Sequence, residues 1–338
     1  MLFRSVYERL VDVFRAHDIG YFLYNGGNGS ADTAWRIAQL ATRGDYPIVS
    51  VAVPKTIDND ITGTDCCPGF GSAAKYVATA AREASLDLAA MATDSNRKSA
   101  TRVFLLEVMG RNVGWLAAAA GLACEEAGDA PHVLLMPEVA FDEARFLAKV
   151  KATVARLGSC VVVVAEGIRN AAGELLSPSM RQDPSSLAPM GGVAPGLGKL
   201  IGERLGFKYQ FAVASYLQRA ARHVASKTDL DQAYAVGAGA VRFALAGKNG
   251  TMAAIKRVSD RPYRWRVEAI PIERIANSER KVPRSFITAD GMHITAAARR
   301  YLAPLIVGEA PPPFVRGLPV MARPKLVSVP KRLPRFQL

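Results

Sequence analysis

The run Ile48-Val49-Ser50-Val51-Ala52-Val53 followed by Pro54-Lys55-Thr56-Ile57-Asp58-Asn59-Asp60 decides how this chain is read. Six mostly apolar, β-branched residues predict a buried strand, and Pro54, which lacks a backbone donor, is expected to stop its ladder. The polar residues that follow therefore sit at the carboxyl end of a strand, where open α/β sheets place their ligands. Thr56 offers a hydroxyl, Asp58 a carboxylate able to accept a proton, and Asp60 a second carboxylate able to hold a divalent cation. Such a set suits phosphoryl transfer to a hydroxyl. Asp58 to Asp60 could equally form an Asx turn capping the next helix.

A second loop of the same kind lies upstream. Ile19 to Tyr24 predicts a strand, and it leads into Asn25-Gly26-Gly27-Asn28-Gly29-Ser30 and a helical pattern from Ala31. Three glycines between strand and helix let backbone N–H groups close on a phosphate, with the positive helix end behind them. Two strand-ending loops about thirty residues apart, one suited to phosphate and one to base and metal, say more than either alone.

The chain has 338 residues, half of them hydrophobic, enough for one large core or two lobes. Its longest apolar stretch, Trp115 to Ala123, is far short of the roughly 20 residues a membrane helix needs. Residues 1–13 show amphipathic charge spacing and no secretory core, so a cytoplasmic location is expected and no membrane partner. Cys66, Cys67, Cys124 and Cys160 lack zinc spacing, and the adjacent pair would close a strained ring; reduced thiols are expected. A net charge of +13 calls for an anionic partner. Basic residues are scattered singly except in the Pro-rich tail (Arg323, Lys325, Lys331, Arg332, Arg335), so phosphorylated small molecules are expected, not nucleic acid.

Along the chain, apolar spacing predicts a first helix over Phe3 to Phe14, an Ala-rich helix from Ala73 to Met91 with Ser72 as its N-cap, and a polar loop over 93–100. Strands are expected at Arg102 to Val108, His132 to Leu135, Val161 to Val164 and Met252 to Val258. Helices are expected at Trp115 to Cys124, Asp142 to Leu157 and Asp229 to Ala246, and again after Gly196. Residues 171–195 read as a solvent-facing excursion, and the segment past Val307 as an extended tail on the surface. The alternation is that of an α/β protein with doubly wound, mostly parallel sheets.

With these elements in order, the chain resembles the 6-phosphofructokinases, and among them the long bacterial pyrophosphate-dependent type. The matching motifs are residues 24–33, Pro54 to Asp60, Cys66 to Ser72, Glu107-Val108-Met109-Gly110-Arg111, Ala165-Glu166-Gly167 and Tyr216 to His223. The resemblance implies two such sheets, with a phosphoryl-donor domain from residues 1–72 and 225–338 and a sugar-phosphate domain from 73–224. It implies Mg²⁺-dependent transfer from pyrophosphate to the 1-hydroxyl of fructose 6-phosphate, a step of glycolysis or gluconeogenesis. Asp58 would be the base, and Thr56 would contact the phosphoryl group or the sugar. Lys55 with Gly26, Gly27, Asn28, Gly29 and Ser30 would hold the donor, and Asp60 with Asn28 would bear on the metal.

Met109, Gly110 and Arg111 resemble the sugar-phosphate loop, and Glu166 would hold sugar hydroxyls. Arg219 and Arg102 would grip the 6-phosphate, with Tyr216 and Lys208 beside them. Some of these would come from a neighbouring subunit of a homodimer or homotetramer. The four histidines are read as structural.

Donor choice is marked twice, in opposite senses. Lys55 is the residue of pyrophosphate users. Gly29 stands where those enzymes carry an aspartate that repels a nucleotide, which leaves ATP as the alternative donor. Asn28 replaces a metal-binding aspartate of many relatives, and Met1 falls inside a helix where the resemblance implies an earlier strand and glycine-rich loop. A first domain truncated at its N-terminus is expected, and with it the further alternative of a catalytically impaired homologue that binds sugar phosphate.

Overall fold

The computed structural model describes residues 2–44, 46–92, 100–176, 192–275 and 278–336. Two four-stranded sheets organise the chain. The first combines β1 (Tyr21–Gly26), β2 (Val49–Pro54), β7 (Thr251–Asp260) and β8 (Tyr263–Pro271) in that spatial order. Its first three strands are parallel, and β8 returns antiparallel along β7. The second sheet has the order β4 (Val133–Leu135), β5 (Cys160–Ala165), β3 (Thr101–Val108), β6 (Lys208–Val213), parallel throughout. Every residue of β5 is buried, as an unbroken valine run between two helical layers requires.

Nine α-helices are described: α1 (Leu2–Ala16), α2 (Asn28–Arg43), α3 (Phe70–Ala92), α4 (Trp115–Ala120), α5 (Glu143–Leu157), α6 (Val193–Leu205), α7 (Leu217–Ala220), α8 (Lys227–Leu245) and α9 (Ala296–Leu302). The largest buried cluster runs from Val51 and Ala253 of the first sheet through α3 and α4 to Val162 and Val163 of the second. Residues 284–302, although late in the chain, pack against the second sheet: Leu134 N–H donates to Met292 O at 2.8 Å, and the Arg299 guanidinium to Gly121 O at 2.9 Å.

Several boundaries differ from the sequence reading, each for a local reason. Strand β1 starts at Tyr21, because Ile19 is spent closing α1: its N–H donates to Phe14 O, and its carbonyl accepts from the Tyr46 hydroxyl. Pro54 does not stop the ladder; it is the last residue of β2, opposite Gly26. Helix α2 begins at Asn28, three residues early, since Gly27 is its N-cap and Gly27 O accepts from Ser30 and Ala31.

Helix α3 begins at Phe70, and Ser72 is not its cap. Asp229 in α8 does that work, accepting from Gly69 N at 2.8 Å, Ser72 N at 3.0 Å and Ser72 Oγ at 2.5 Å. Helix α6 begins at Val193, before Pro195, because the buried Glu107 carboxylate accepts from Ala194 N at 2.8 Å. The predicted Trp115 to Cys124 helix ends at Ala120 and tightens into a 3₁₀ turn over Gly121–Ala123. Strands β6 and β8 had no counterpart in the sequence reading. The loop at 93–99 and the stretch 177–191 lie outside the described residues. The tail forms a two-residue hairpin, Phe314–Val315 with Leu318–Pro319, then returns to α1, where Arg332 donates to Ala16 O.

Among the described residues no helix is long and apolar enough to cross a membrane. The four cysteines are free, and burial pushes the Cys67 and Cys160 thiols up to about 12.

His132, at the start of β4, shows what burial does to a titrating group. Its Nδ1 accepts from Val161 N at 2.9 Å while Nε2 faces Gly128 O at 3.1 Å, which fixes the neutral ring with its proton on Nε2. Burial holds its pKa below the usual histidine value. The unfolded chain therefore binds the proton more readily. Stability is present above the ordinary value of 6.5 and is lost as pH falls from there towards the folded pKa. The melting temperature should fall between about pH 8 and pH 5.5, and His132→Asn, which keeps an acceptor for Val161 N, should flatten that slope. An unchanged slope would place the titration elsewhere.

Candidate active site

The carboxyl ends of β2, β3, β5 and β6 converge between the two sheets. Lys55, Thr56 and Asp58 after β2, Met109 after β3, and Arg219 with Arg222 beyond β6 line a cleft of roughly 640 Å³ floored by Gly69, Ser72 and Asp229. A second hollow of roughly 580 Å³ adjoins the start of α2, lined by Asn28, Gly29, Asp32, Ser278, Glu279 and Lys281.

The loop after β2 is pinned at several points. Lys55 N–H donates to Gly26 O at 3.0 Å, which sets the two strand-ending loops side by side. Thr56 N–H reaches Pro68 O at 3.3 Å, and Asp58 N–H donates to Thr56 Oγ1 at 3.1 Å, a hydroxyl turn that leaves the carboxylate directed to the cleft wall. Burial raises the pKa of Asp58; the Thr56 hydroxyl, Arg111 and Lys55 pull it back. Asp60 is pushed up to about 6, chiefly by burial and then by the neighbouring charge of Asp58. The charge of Asp58 thus adds to burial in keeping Asp60 protonated more readily.

Across the cleft, Gly110 N–H points at Glu166 Oε1 at 3.5 Å, and Gly167 N–H donates to Gly110 O at 3.1 Å. The loops after β3 and β5 meet so closely that a Cβ on Gly167 would lie 1.8 Å from Arg111 O, so glycine is required there. Burial raises the pKa of Glu166, and Arg111 lowers it as it lowers that of Asp58. One positive charge therefore acts on both carboxylates. Gln218 ties the β6 side in, its Oε1 accepting from Met109 N at 3.2 Å. Arg219 lies over the Tyr216 ring at 4.0 Å from its centroid, a cation–π contact at the cleft rim.

Asn28 and Asp60 fit a hard cation. Asn28 Nδ2 donates to Asp60 Oδ2 at 2.9 Å, and the remaining oxygen of each, Oδ1, is buried without a partner. One or two protein oxygens are what Mg²⁺ takes when phosphates and water complete its shell. No cluster of three or more His, Cys, Asp or Glu able to hold a metal occurs among the described residues. Asp32 adds a third unpartnered oxygen: Arg36 holds its Oδ2 at 2.7 Å while Oδ1 is buried and free of partners. Its position four residues after Asn28 on α2, the same helix face, was the signal that could have found it.

Two of the residues singled out from sequence are not brought here. Arg102 and Lys208 stand at the amino ends of β3 and β6, beside each other in register, Lys208 opposite Thr101. Seven residues of extended chain separate Arg102 from Met109, about 20 Å. Arg102 Nη1 instead donates to Gly158 O at 3.0 Å.

Known proteins resemble this chain over nearly its whole length. The profile of the phosphofructokinase family matches residues 2–244. The pyrophosphate–fructose 6-phosphate 1-phosphotransferase of Halomonas elongata is 54% identical over 335 residues, covering 99% of this chain and 79% of that protein. The enzyme of the same name from Methylococcus capsulatus is 54% identical over 330 residues, 98% of this chain and 77% of its own. The crystal structure of pyrophosphate-dependent phosphofructokinase from Nitrosospira multiformis superposes with a TM-score of 0.90 at 50% identity, covering 99% of this chain and 79% of that one.

Proposed function

This chain belongs to the phosphofructokinase family, and we propose that it transfers a phosphoryl group from pyrophosphate to the 1-hydroxyl of fructose 6-phosphate, giving fructose 1,6-bisphosphate. It is a phosphotransferase with an α/β fold of two mostly parallel sheets. The observation that carries the site assignment is the cleft that Lys55, Thr56 and Asp58 share with Met109 and Arg219, with the Gly110 amide beside Met109 facing Glu166 Oε1.

In this reading Asp58 takes the proton of the 1-hydroxyl, and its raised pKa brings its basicity closer to the working pH. Lys55, Thr56 and the amides of Gly26 to Ser30 hold the donor. Arg111 and Arg219, with Tyr216 and the Met109–Gly110 backbone, hold the sugar phosphate, and Glu166 the sugar hydroxyls. Asp60 and Asn28 would hold Mg²⁺, which supplies charge neutralisation on the donor oxygens. The rest of the rate comes from positioning.

Residues 1–72 with 225–338 form the donor domain and 73–224 the sugar-phosphate domain, the stretch 284–302 reaching across to brace the latter. Arg102 and Lys208, about 20 Å from the cleft of their own chain, serve the sugar-phosphate site of a second copy in a homodimer or homotetramer. The reaction belongs to glycolysis or gluconeogenesis in the cytoplasm.

Gly29 favours a second donor. A Cβ there would meet nothing within 4 Å, so the space an aspartate would fill is open to ATP. Purified protein with fructose 6-phosphate and Mg²⁺ is expected to form fructose 1,6-bisphosphate with pyrophosphate and at least tenfold, about 1.4 kcal/mol, less efficiently with ATP. The reverse ranking would make it an ATP-dependent enzyme. Product with neither donor would leave a sugar-phosphate-binding homologue impaired at Asn28.

A further inference from the structure

We propose that Asn59, Arg280 and Tyr301 form a buried brace that fixes Asp58 and Asp60 for phosphoryl transfer, which makes all three positioning residues; this rests on the reaction assigned above. Asn59 stands between the two carboxylates, is fully buried, and has φ +55°, the left-handed region. Asparagine enters that region at lower cost than most side chains, yet it stays only where its surroundings hold it.

They do so completely. Asn59 Oδ1 accepts from Cys67 N at 3.0 Å and Nδ2 donates to the Tyr301 hydroxyl at 3.3 Å. Arg280 Nε donates to Asn59 O at 3.2 Å, and Arg280 N–H to Asp60 O at 2.7 Å, so the backbone on both sides of the peptide linking Asn59 to Asp60 is gripped by one residue. The rest of the guanidinium is also engaged: Nη2 donates to the Tyr301 hydroxyl at 3.0 Å and Nη1 to Thr64 O at 3.0 Å. The Tyr301 hydroxyl in turn donates to Asp65 O. With one donor and two acceptor positions, that hydroxyl is saturated.

The brace also reaches the other wall. Trp115 Nε1 donates to Arg280 O at 2.8 Å, and the guanidinium lies 4.7 Å from the Trp115 ring centroid. Trp115 opens α4 four residues after Arg111. One buried unit therefore connects the carboxylate loop to the loop carrying Arg111, from the two sides of the cleft. Arg280 and Tyr301 lie beyond residue 244, where the family match ends.

Three variants test this. Asn59→Gly keeps the left-handed backbone at no steric cost and removes only the amide. Tyr301→Phe removes one hydroxyl, and Arg280→Lys keeps the charge without the fork. For Asn59→Gly, kcat is expected to fall about 10²-fold, the cost of roughly 1 Å of misplacement. KM for both substrates should stay within about threefold. Tyr301→Phe should lose about tenfold in kcat by the same argument, and Arg280→Lys, although it keeps the charge, should lose at least as much. Crystal structures of Asn59→Gly and Tyr301→Phe should show the Asp58 and Asp60 carboxylates displaced. Lower melting temperatures with unchanged kcat and unmoved carboxylates would reduce the brace to a structural prop and overturn the proposal. If the wild-type protein turns over neither donor, the assigned reaction fails, and the carboxylate positions in the two variant structures still decide the brace.

Discussion

Asp58→Ser is expected to lower kcat by about 10²- to 10⁴-fold, the range for removing a positioned general base. Fructose 6-phosphate binding should change less than about threefold, since Arg111, Arg219 and Glu166 are untouched. The backbone needs no adjustment, because the bond that shapes the turn runs from Asp58 N–H to Thr56 Oγ1 and does not use the carboxylate. Stability should move the other way from activity. Burial raises the folded pKa of Asp58 above its unfolded value, so the unfolded chain gives up this proton first. Stability is then lost as pH rises through that window, and at neutral pH the ionised carboxylate weighs against the fold. Serine removes that weight, and the variant should melt no lower than wild type at pH 7. Calorimetric binding, product formation and a melting curve on one preparation suffice. Near-normal turnover would remove Asp58 from the mechanism.

Much of this was legible because the signals are local. The valines of β5 and the alternation of strands and helices follow from burial on both faces of a parallel sheet, a property of a few consecutive residues. The loops at 26–30 and 54–60 were legible because chemistry sits at strand ends. Helix starts were misplaced where a partner far along the chain supplies the cap: Asp229 for α3 and Glu107 for α6. Strand β8 was missed because Tyr263-Arg264-Trp265-Arg266 alternates charged and aromatic residues beside a proline, and an edge strand half open to solvent tolerates that composition. Arg102 and Lys208 show what motif spacing leaves open. Nearness to a motif in sequence does not say which end of a strand a residue occupies, and one strand length separates them from the cleft. The brace could not be read at all, since Asn59 and Tyr301 are 242 residues apart.

Lys55 and Gly29 give opposite signals about the donor, and two substitutions separate them. Lys55 is exposed, its backbone is locked to Gly26, and its ammonium stands near enough to lower the pKa of Asp58. In the proposed reaction a compact cation at the junction of donor loop and base would face charge that develops on the transferring group, where losing one such contact costs about 3–4 kcal/mol. Lys55→Ala should therefore cut kcat/KM for pyrophosphate by about 10²- to 10³-fold. KM for fructose 6-phosphate should hold, and Lys55→Arg should recover little, because a planar fork does not reproduce a point charge. Gly29→Asp acts by exclusion. A Cβ at position 29 meets nothing within 4 Å, and the position lines the second hollow beside Asn28, so the variant is expected to fold. It should depress any ATP-dependent turnover more than tenfold by repelling the nucleotide, and change pyrophosphate use little. Equal losses with both donors would mean that position 29 shapes the common phosphate site and does not choose between donors. A Lys55→Ala variant that loses ATP use and keeps pyrophosphate use would invert the role given to the lysine. The two residues lie on adjacent loops joined by the Lys55 N–H to Gly26 O bond, so the double variant should depart from additivity, and the size of that departure measures how far one donor pose depends on both.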